Sequence, residues 1–315
     1  MSTPQYGERR EFGADDVCYR HPGTHSFSLC QRCGRTICPQ CQIVSAVGVL
    51  CPDCVREATP ATVTRIGSGA RVMRGRMLAE GVPIVTYGLM TLCVLVWVAQ
   101  LIGSWVGSNG VTHALWYAPA FSLPDSISGL RYSDVSFEPW RMLTVIFTHS
   151  ISSPLHIAFN MFALWVFGRN LEQVLGRLWF FLLYLFAGLG GSLAVMLWVY
   201  ADPTTVSVPT VGASGAIFGV MAATVVAYRA ANVNVTSLVV LIGINIAIGF
   251  MPGTTVSWQA HLGGALVGAG VMGLLLQTRG PRKQRMRVWS FVGLGALLIA
   301  LGSLYWIVLP ALPWL

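Results

Sequence analysis

The chain has 315 residues, of which 54% are hydrophobic and only 10% are charged, and its formal net charge is +8. Ordinary water-soluble domains carry roughly a quarter charged residues, so this composition indicates a protein that crosses a membrane several times. The basic residues lie in short stretches beside apolar segments, where they set the orientation in a membrane. We therefore expect no nucleic-acid partner, in spite of the positive charge.

The N-terminal region divides into a polar leader and a cysteine-rich block. Residues 1–17 contain no apolar segment like that of a signal peptide, and we expect a disordered leader there. Seven of the eight cysteines fall in the block at residues 18–57, whereas Cys93 lies in an apolar segment and is interpreted as a packing residue. The block holds four ligand pairs, each with two intervening residues: Cys18 and His21, Cys30 and Cys33, Cys38 and Cys41, Cys51 and Cys54.

These eight side chains predict two structural zinc ions, because thiolates and imidazoles in such pairs fill two tetrahedral sites. A disulfide framework is the alternative, which the odd cysteine count and a reducing cytoplasm disfavour. Close spacing of the second and third pairs favours a cross-braced arrangement, with Cys18, His21, Cys38 and Cys41 on one ion. Sequential pairing stays open, as does His25 in place of His21. We expect no cofactor for catalysis.

A basic linker at residues 58–80 precedes a membrane region that continues to the C-terminus. About 20 apolar residues span a bilayer, and the apolar segments predict seven helices. They lie near residues 82–104, 154–169, 177–200, 214–229, 235–251, 257–277 and 288–309. The fold class that we expect is an all-α polytopic membrane protein with a small zinc-stabilised domain at its N-terminus.

Basic residues also predict the orientation in the membrane. If the N-terminus is cytoplasmic, twelve arginine and lysine residues of the linker and the membrane region lie inside, and only Arg131 and Arg141 lie outside. We therefore expect a protein of the cell membrane with the zinc domain in the cytoplasm and the C-terminus outside. Residues 105–153 then form a long, ordered outer loop that rests in the membrane interface.

Ser214 and His261 are the candidate nucleophile and general base. Both are expected near the outer ends of their helices, at a similar depth, and glycines spaced four apart allow these helices to approach closely. No Asp or Glu follows Asp202, so we predict a dyad rather than a triad. Phe218, one turn after Ser214, is either a stacking platform for the imidazole or a core residue.

His156 and Asn160 lie four residues apart on the second helix, and both can donate hydrogen bonds to a developing oxyanion. Polar side chains at membrane depth are costly and are usually functional. The sequence therefore predicts that this helix contributes to the same site.

Four motifs together resemble the rhomboid intramembrane serine proteases, over about residues 80–280. They are Gly212-Ala213-Ser214-Gly215, Ala260-His261, His156-Ile157-Ala158-Phe159-Asn160 and Glu138-Pro139-Trp140-Arg141. The resemblance implies a six-helix core at residues 81–280, with a water-filled cavity open to the outside and a seventh helix appended within residues 281–315. It also implies that Ser214 is the nucleophile, that His261 is the base, and that His156, Asn160 and the Ser214 amide stabilise the oxyanion.

The same resemblance implies the partners and leaves one histidine unassigned. The substrates would be single-pass membrane proteins cut near the outer face, and membrane lipid surrounds the enzyme. The family often has a histidine five residues before the one matching His156, but position 151 is isoleucine and His149 lies seven residues before. His149 is therefore not assigned to the site.

The zinc block resembles B-box-type zinc fingers and the N-terminal zinc modules of some bacterial rhomboids, and it suggests a cytoplasmic partner. Two alternatives remain: an inactive rhomboid-like protein that binds membrane clients, and an adaptor that acts through the zinc module with secondary proteolysis.

Overall fold

A computed structural model describes residues 13, 16–45, 48–58, 81–123, 136–251, 254 and 256–308. Most of the expected leader, nearly all of the basic linker, residues 124–135 of the outer loop with Arg131, and residues 309–315 lie outside the described residues. The chain divides into two compact units, Met1–Met73 and Arg74–Leu315.

The first unit is built from two short antiparallel strand pairs and one helix. Strands β1 (Val17–Cys18) and β2 (His21–His25) form one pair, and β3 (Ile43–Ser45) and β4 (Gly48–Leu50) form the other, followed by α1 (Pro52–Ala58). Its described buried core consists of six cysteines and Ile37. So few apolar side chains cannot by themselves stabilise a domain of this size.

The second unit is helical. Its helices are α2 (Ile84–Trp105), α3 (Gly110–Leu115), α4 (Arg141–Thr144), α5 (Pro154–Ala163), α6 (Arg169–Leu175), α7 (Arg177–Trp198), α8 (Ser214–Ala230), α9 (Thr236–Ile248), α10 (Trp258–Gln277) and α11 (Gln284–Val308). Within the described residues, α2, α7, α10 and α11 contain spans long and apolar enough to cross a membrane, and α8 and α9 are shorter apolar helices. The predicted all-α polytopic fold is confirmed.

The second predicted membrane helix extends farther than the sequence indicated. It was expected to end near residue 169, but α5 continues through a π-helical turn at Leu164–Gly168 into α6, which ends at Leu175. The apolar pattern stops at Arg169, so it did not reveal this extension. In α6, the buried Glu172 accepts hydrogen bonds from the Val85 and Thr86 amides, at 2.9 and 2.8 Å, and from the Thr86 hydroxyl. The extension thereby caps the start of α2.

Glycines bring α7, α8 and α10 into backbone contact at the centre of this unit. A methyl group on Gly264 would overlap the carbonyl oxygen of Gly215, and one on Gly268 would overlap the carbonyl of Gly219. A methyl group on Gly191 of α7 would lie 2.9 Å from the carbonyl oxygen of Ala260. Backbone contact of this kind is the result that small residues four apart produce between membrane helices, and it holds the starts of α8 and α10 together.

Arg141 anchors the described part of the long loop at residues 105–153. It is only 7% exposed, and its guanidinium donates to the Glu138 carboxylate, at 2.5 Å, and to the carbonyls of His113 and Trp116. The guanidinium also lies 4.0 Å from the ring centroid of Phe121. Burial raises the pKa of Glu138, but hydrogen bonds from Ser136 and Arg141 outweigh it and lower this pKa, so the ion pair persists at neutral pH.

Candidate active site and metal centres

Ser214 is the first residue of α8, directly after a tight turn of the backbone. Gly212 has a φ of +126°, a conformation that favours glycine. The first amide of α8 with an intrahelical acceptor is that of Ile217, which donates to Ala213 at 3.0 Å. The amides of the three residues before it have no acceptor within the helix, and they lie at the positive end of the helix dipole. Negative charge near the Ser214 side chain is therefore stabilised.

His261 lies beside Ser214, as predicted from the glycine spacing and the depth of the two helices. Its Nε2 is 2.9 Å from Ser214 Oγ, and the residue is 7% exposed. The ring stacks on Phe218 with centroids 4.0 Å apart and planes 6° apart, so Phe218 is the platform rather than a core residue alone. His261 Nδ1 has no hydrogen-bond partner within the described residues. This geometry is that of a Ser–His pair without a carboxylate.

His156 directs its Nε2 atom toward the turn that precedes Ser214. The Ser150 amide donates to His156 Nδ1 at 3.3 Å, so the neutral ring carries its proton on Nε2. A Cβ atom on Gly212 would lie 2.8 Å from that Nε2, which shows how closely the imidazole approaches the turn. His156 Nε2–H is thus a donor beside the turn that leads into Ser214.

Asn160 lies one turn after His156 and is 7% exposed. Its Nδ2 donates to the His156 carbonyl at 2.7 Å, which fixes the orientation of the amide. A primary amide has two N–H bonds, so the second one remains to serve a bound group.

Sequence reasoning left His149 out, but the structure places it beside His156. Their ring centroids are 5.4 Å apart, and neither ring nitrogen of His149 has a hydrogen-bond partner within the described residues. Two side chains of α2 hold this loop: Trp97 Nε1 donates to the Ser150 carbonyl, and Gln100 exchanges hydrogen bonds with the His149 backbone at 3.1 and 3.2 Å. The seven-residue spacing concealed the proximity, because the loop at residues 150–153 folds back before α5 begins.

A small cavity of about 20 Å³ adjoins the start of α8. Gly212, Gly215 and Ala260 line it together with the polar side chains of Ser192 and Thr210, among others. This volume holds about one water molecule when polar partners are present.

Eight side chains of the first unit form two compact clusters. Cys18, His21, Cys38 and Cys41 form one; Cys30, Cys33, Cys51 and Cys54 form the other, and the ligand atoms within each cluster lie within 4.8 Å of one another. The grouping is that of the cross-braced arrangement, and His25 belongs to neither cluster. Each cluster could hold a metal ion.

The atom spacings fit zinc. His21 Nδ1 lies 3.3 Å from the sulfur atoms of both Cys38 and Cys41, and the sulfurs of Cys33 and Cys51 are 3.7 Å apart. Zinc–sulfur bonds of about 2.3 Å in a tetrahedron separate neighbouring sulfurs by about 3.8 Å.

The local electrostatics of the second cluster favours the thiolate form of Cys30 and Cys33 but not that of Cys54. Burial raises the pKa of Cys30, but hydrogen bonds from backbone amides outweigh it and lower that pKa to about 6. The Arg35 guanidinium lowers the pKa of Cys33. Burial and the neighbouring thiols instead raise the pKa of Cys54 to about 12. Four thiolates at this spacing repel one another, so full ionisation requires a cation among them.

Fold and site together define a multi-helical membrane protein with a partly buried serine and a buried histidine in hydrogen-bond contact. Residues 136–278 match the rhomboid domain family. This match covers a little under half of the chain and includes both Ser214 and His261.

Several curated relatives match part of the chain. The chain is similar to RHOMBOID-like protein 6, mitochondrial, of Arabidopsis thaliana, with 33% identity covering 48% of each chain. Rhomboid protease GluP of Bacillus subtilis is 37% identical over 42% of this chain and 25% of its own length. Rhomboid protease AarA of Providencia stuartii is 30% identical over 41% of this chain and 53% of its own. The chain spans about half or less of the length of these relatives.

Proposed function

We propose that this protein is an intramembrane serine endopeptidase with a Ser214–His261 dyad. The single observation that carries the proposal is the 2.9 Å contact between Ser214 Oγ and His261 Nε2 in a partly buried site. Two of the relatives, from Bacillus subtilis and Providencia stuartii, are named rhomboid proteases, which supports the same activity. A neutral imidazole at this distance is the base that a serine hydroxyl needs.

In the first step, Ser214 Oγ attacks the carbonyl carbon of the scissile peptide bond, and its proton moves to His261 Nε2. The carbonyl oxygen becomes an oxyanion. His156 Nε2–H, the free N–H of Asn160 and the Ser214 amide are the donors that would stabilise it, assisted by the positive end of α8. Phe218 keeps the imidazole ring oriented during the proton transfer. In a triad, a carboxylate orients the ring.

In the second step, the C–N bond breaks and His261 returns the proton to the leaving amine, which leaves an ester on Ser214. Water then attacks the ester carbonyl, gives one proton to His261 Nε2, and releases a carboxylic acid. The proton on His261 returns to Ser214 Oγ, so the enzyme is regenerated. The cavity beside Gly212 and Gly215, with room for about one water molecule, would supply this nucleophile.

The proposed substrates are single-pass membrane proteins, cut near the outer face of the membrane. An intact helix hides its carbonyl groups in its own hydrogen bonds, so segments with glycine or proline are easier to open and to cleave. We place the N-terminus in the cytoplasm of a cell that carries the protein in its cell membrane, on the basis of the basic-residue distribution.

The proposed domains are a zinc domain at residues 18–57, a protease core at 81–280 and an appended helix within 281–315. Two structural zinc ions in the clusters described above would stabilise the first domain, whose small apolar core cannot do so alone. A cytoplasmic partner is proposed for this domain. Deleting residues 1–60 should leave cleavage of a model substrate unchanged, and loss of cleavage would make the zinc domain part of the protease.

Labelling by a serine-reactive fluorophosphonate in detergent tests the nucleophile. Wild type should be labelled on the peptide that contains Ser214, and both Ser214→Ala and His261→Ala should lose the label. Ser290→Ala, on α11, is the matched control and should label like wild type. A folded wild-type protein that resists labelling would support the inactive client-binding alternative and would refute the proposal.

A further inference from the structure

We propose that the start of α11 holds a binding site for an anionic phospholipid. A cleft of about 550 Å³ lies there, lined by Arg282, Gln284, Arg285, Val288 and Trp289. It lies beyond the C-terminal end of α10, whereas His261 lies near the other end of that helix. The sixteen helical residues between His261 and Gln277 span about 24 Å, so the cleft is separate from the candidate active site.

The basic side chains of this turn divide into two groups. Lys283 Nζ donates to the Gln277 carbonyl at 3.0 Å, and Arg287 donates to the Thr278 carbonyl at 2.6 Å. These two cations cap the C-terminal end of α10, where the helix dipole is negative. Their charges therefore already have a structural role.

Arg282 and Arg285 have no such role. Both are exposed, line the cleft, and make no hydrogen bond or ion pair within the described residues. No Asp or Glu follows Asp202 in the chain, so this region supplies no acidic partner close in sequence. Two guanidinium groups on one cleft are suited to bind a phosphate, which accepts several of their N–H bonds at once.

An apolar stripe begins where the basic end of the cleft stops. Trp289, Val292 and Ile299 are 71%, 53% and 70% exposed. With Arg285 and Ala296 they occupy helical positions i, i+4, i+7, i+11 and i+14, and therefore share one face of α11. A charged end followed by an apolar stripe of about 15 Å matches a phosphate headgroup with the first part of its acyl chain. Free phosphate would leave the apolar part without a partner.

The test measures lipid binding to the full chain in a neutral detergent by native mass spectrometry. Phosphatidylglycerol should bind at least about tenfold more tightly than phosphatidylcholine. Replacing both arginines (Arg282→Gln with Arg285→Gln) should weaken phosphatidylglycerol binding about 30-fold, from the contribution of two basic residues near anionic lipid. The matched control (Arg229→Gln with Arg279→Gln) removes the same charge outside the cleft and should bind like wild type.

A third variant, Trp289→Gln, keeps the charge and removes the first apolar contact, so phosphatidylglycerol binding should weaken about tenfold. Equal weakening in the control variant would show general attraction to basic surface and would overturn the proposal. Equal binding of phosphatidylcholine would also overturn it. Displacement of the lipid by millimolar inorganic phosphate would assign the cleft to free phosphate and refute the lipid site.

Discussion

Gly264→Ala should disable the site by separating α8 from α10. The added methyl group would overlap the Gly215 carbonyl oxygen, so the two helices must move apart by about 1.5 Å to recover ordinary contact. The Ser214–His261 contact of 2.9 Å would then lengthen beyond hydrogen-bond range. A misplacement of this size costs on the order of 100-fold in rate, and overpacking costs about 1–3 kcal/mol of stability.

The assay is kcat/KM for a model membrane substrate, with the thermal unfolding midpoint measured on the same preparation. Gly270→Ala is the matched control, because it lies on the same helix and a methyl group there has no atom within 4 Å. The control should keep wild-type activity. Its free energy of unfolding should rise by up to about 1 kcal/mol, because alanine favours the helix more than glycine does. Wild-type activity in Gly264→Ala, or an equal loss in both variants, would refute the claim that backbone contact sets the dyad.

Three other predictions concern the oxyanion donor, the α2 cap and the zinc clusters. His156→Ala should lower kcat by about 100-fold to 1000-fold, whereas the fluorophosphonate should still label Ser214 in this variant. An unchanged kcat would remove His156 from the mechanism. Glu172→Gln should lower stability by about 1–3 kcal/mol, measured by thermal unfolding, because the buried amides of α2 lose a charged acceptor. The double variant Cys30→Ser with Cys51→Ser should retain one zinc ion by elemental analysis if pairing is cross-braced, whereas sequential pairing would lose both.

The sequence was sufficient for the parts of the site that follow from composition and short-range pattern. Basic-residue asymmetry and apolar segment lengths placed Ser214 and His261 at a similar depth, and glycine spacing predicted that their helices touch. The structure then brings the two side chains to hydrogen-bond distance. The helical register also suggested Phe218 as a platform, although that position alone could equally have been core packing.

Side-chain contacts between distant segments could not be predicted where no local pattern marks them. Glu172 caps residues 85 and 86, which are more than 80 positions away, and no local pattern records such a partner. His149 reaches His156 because Trp97 and Gln100 of α2 hold the intervening loop. In the first unit, the candidate metal ligands were readable from the paired spacing. Their grouping into two clusters depends on long-range contacts such as the hydrogen bond from the Cys51 amide to the Cys30 sulfur.

The central claim is most directly tested by cleavage of a single-pass membrane protein by the purified chain in liposomes. Mass spectrometry of the two products locates the cut. The account predicts a cut within the membrane-spanning segment of the substrate by wild type, and intact substrate with Ser214→Ala and with His261→Ala. Equal cleavage by wild type and Ser214→Ala would contradict it.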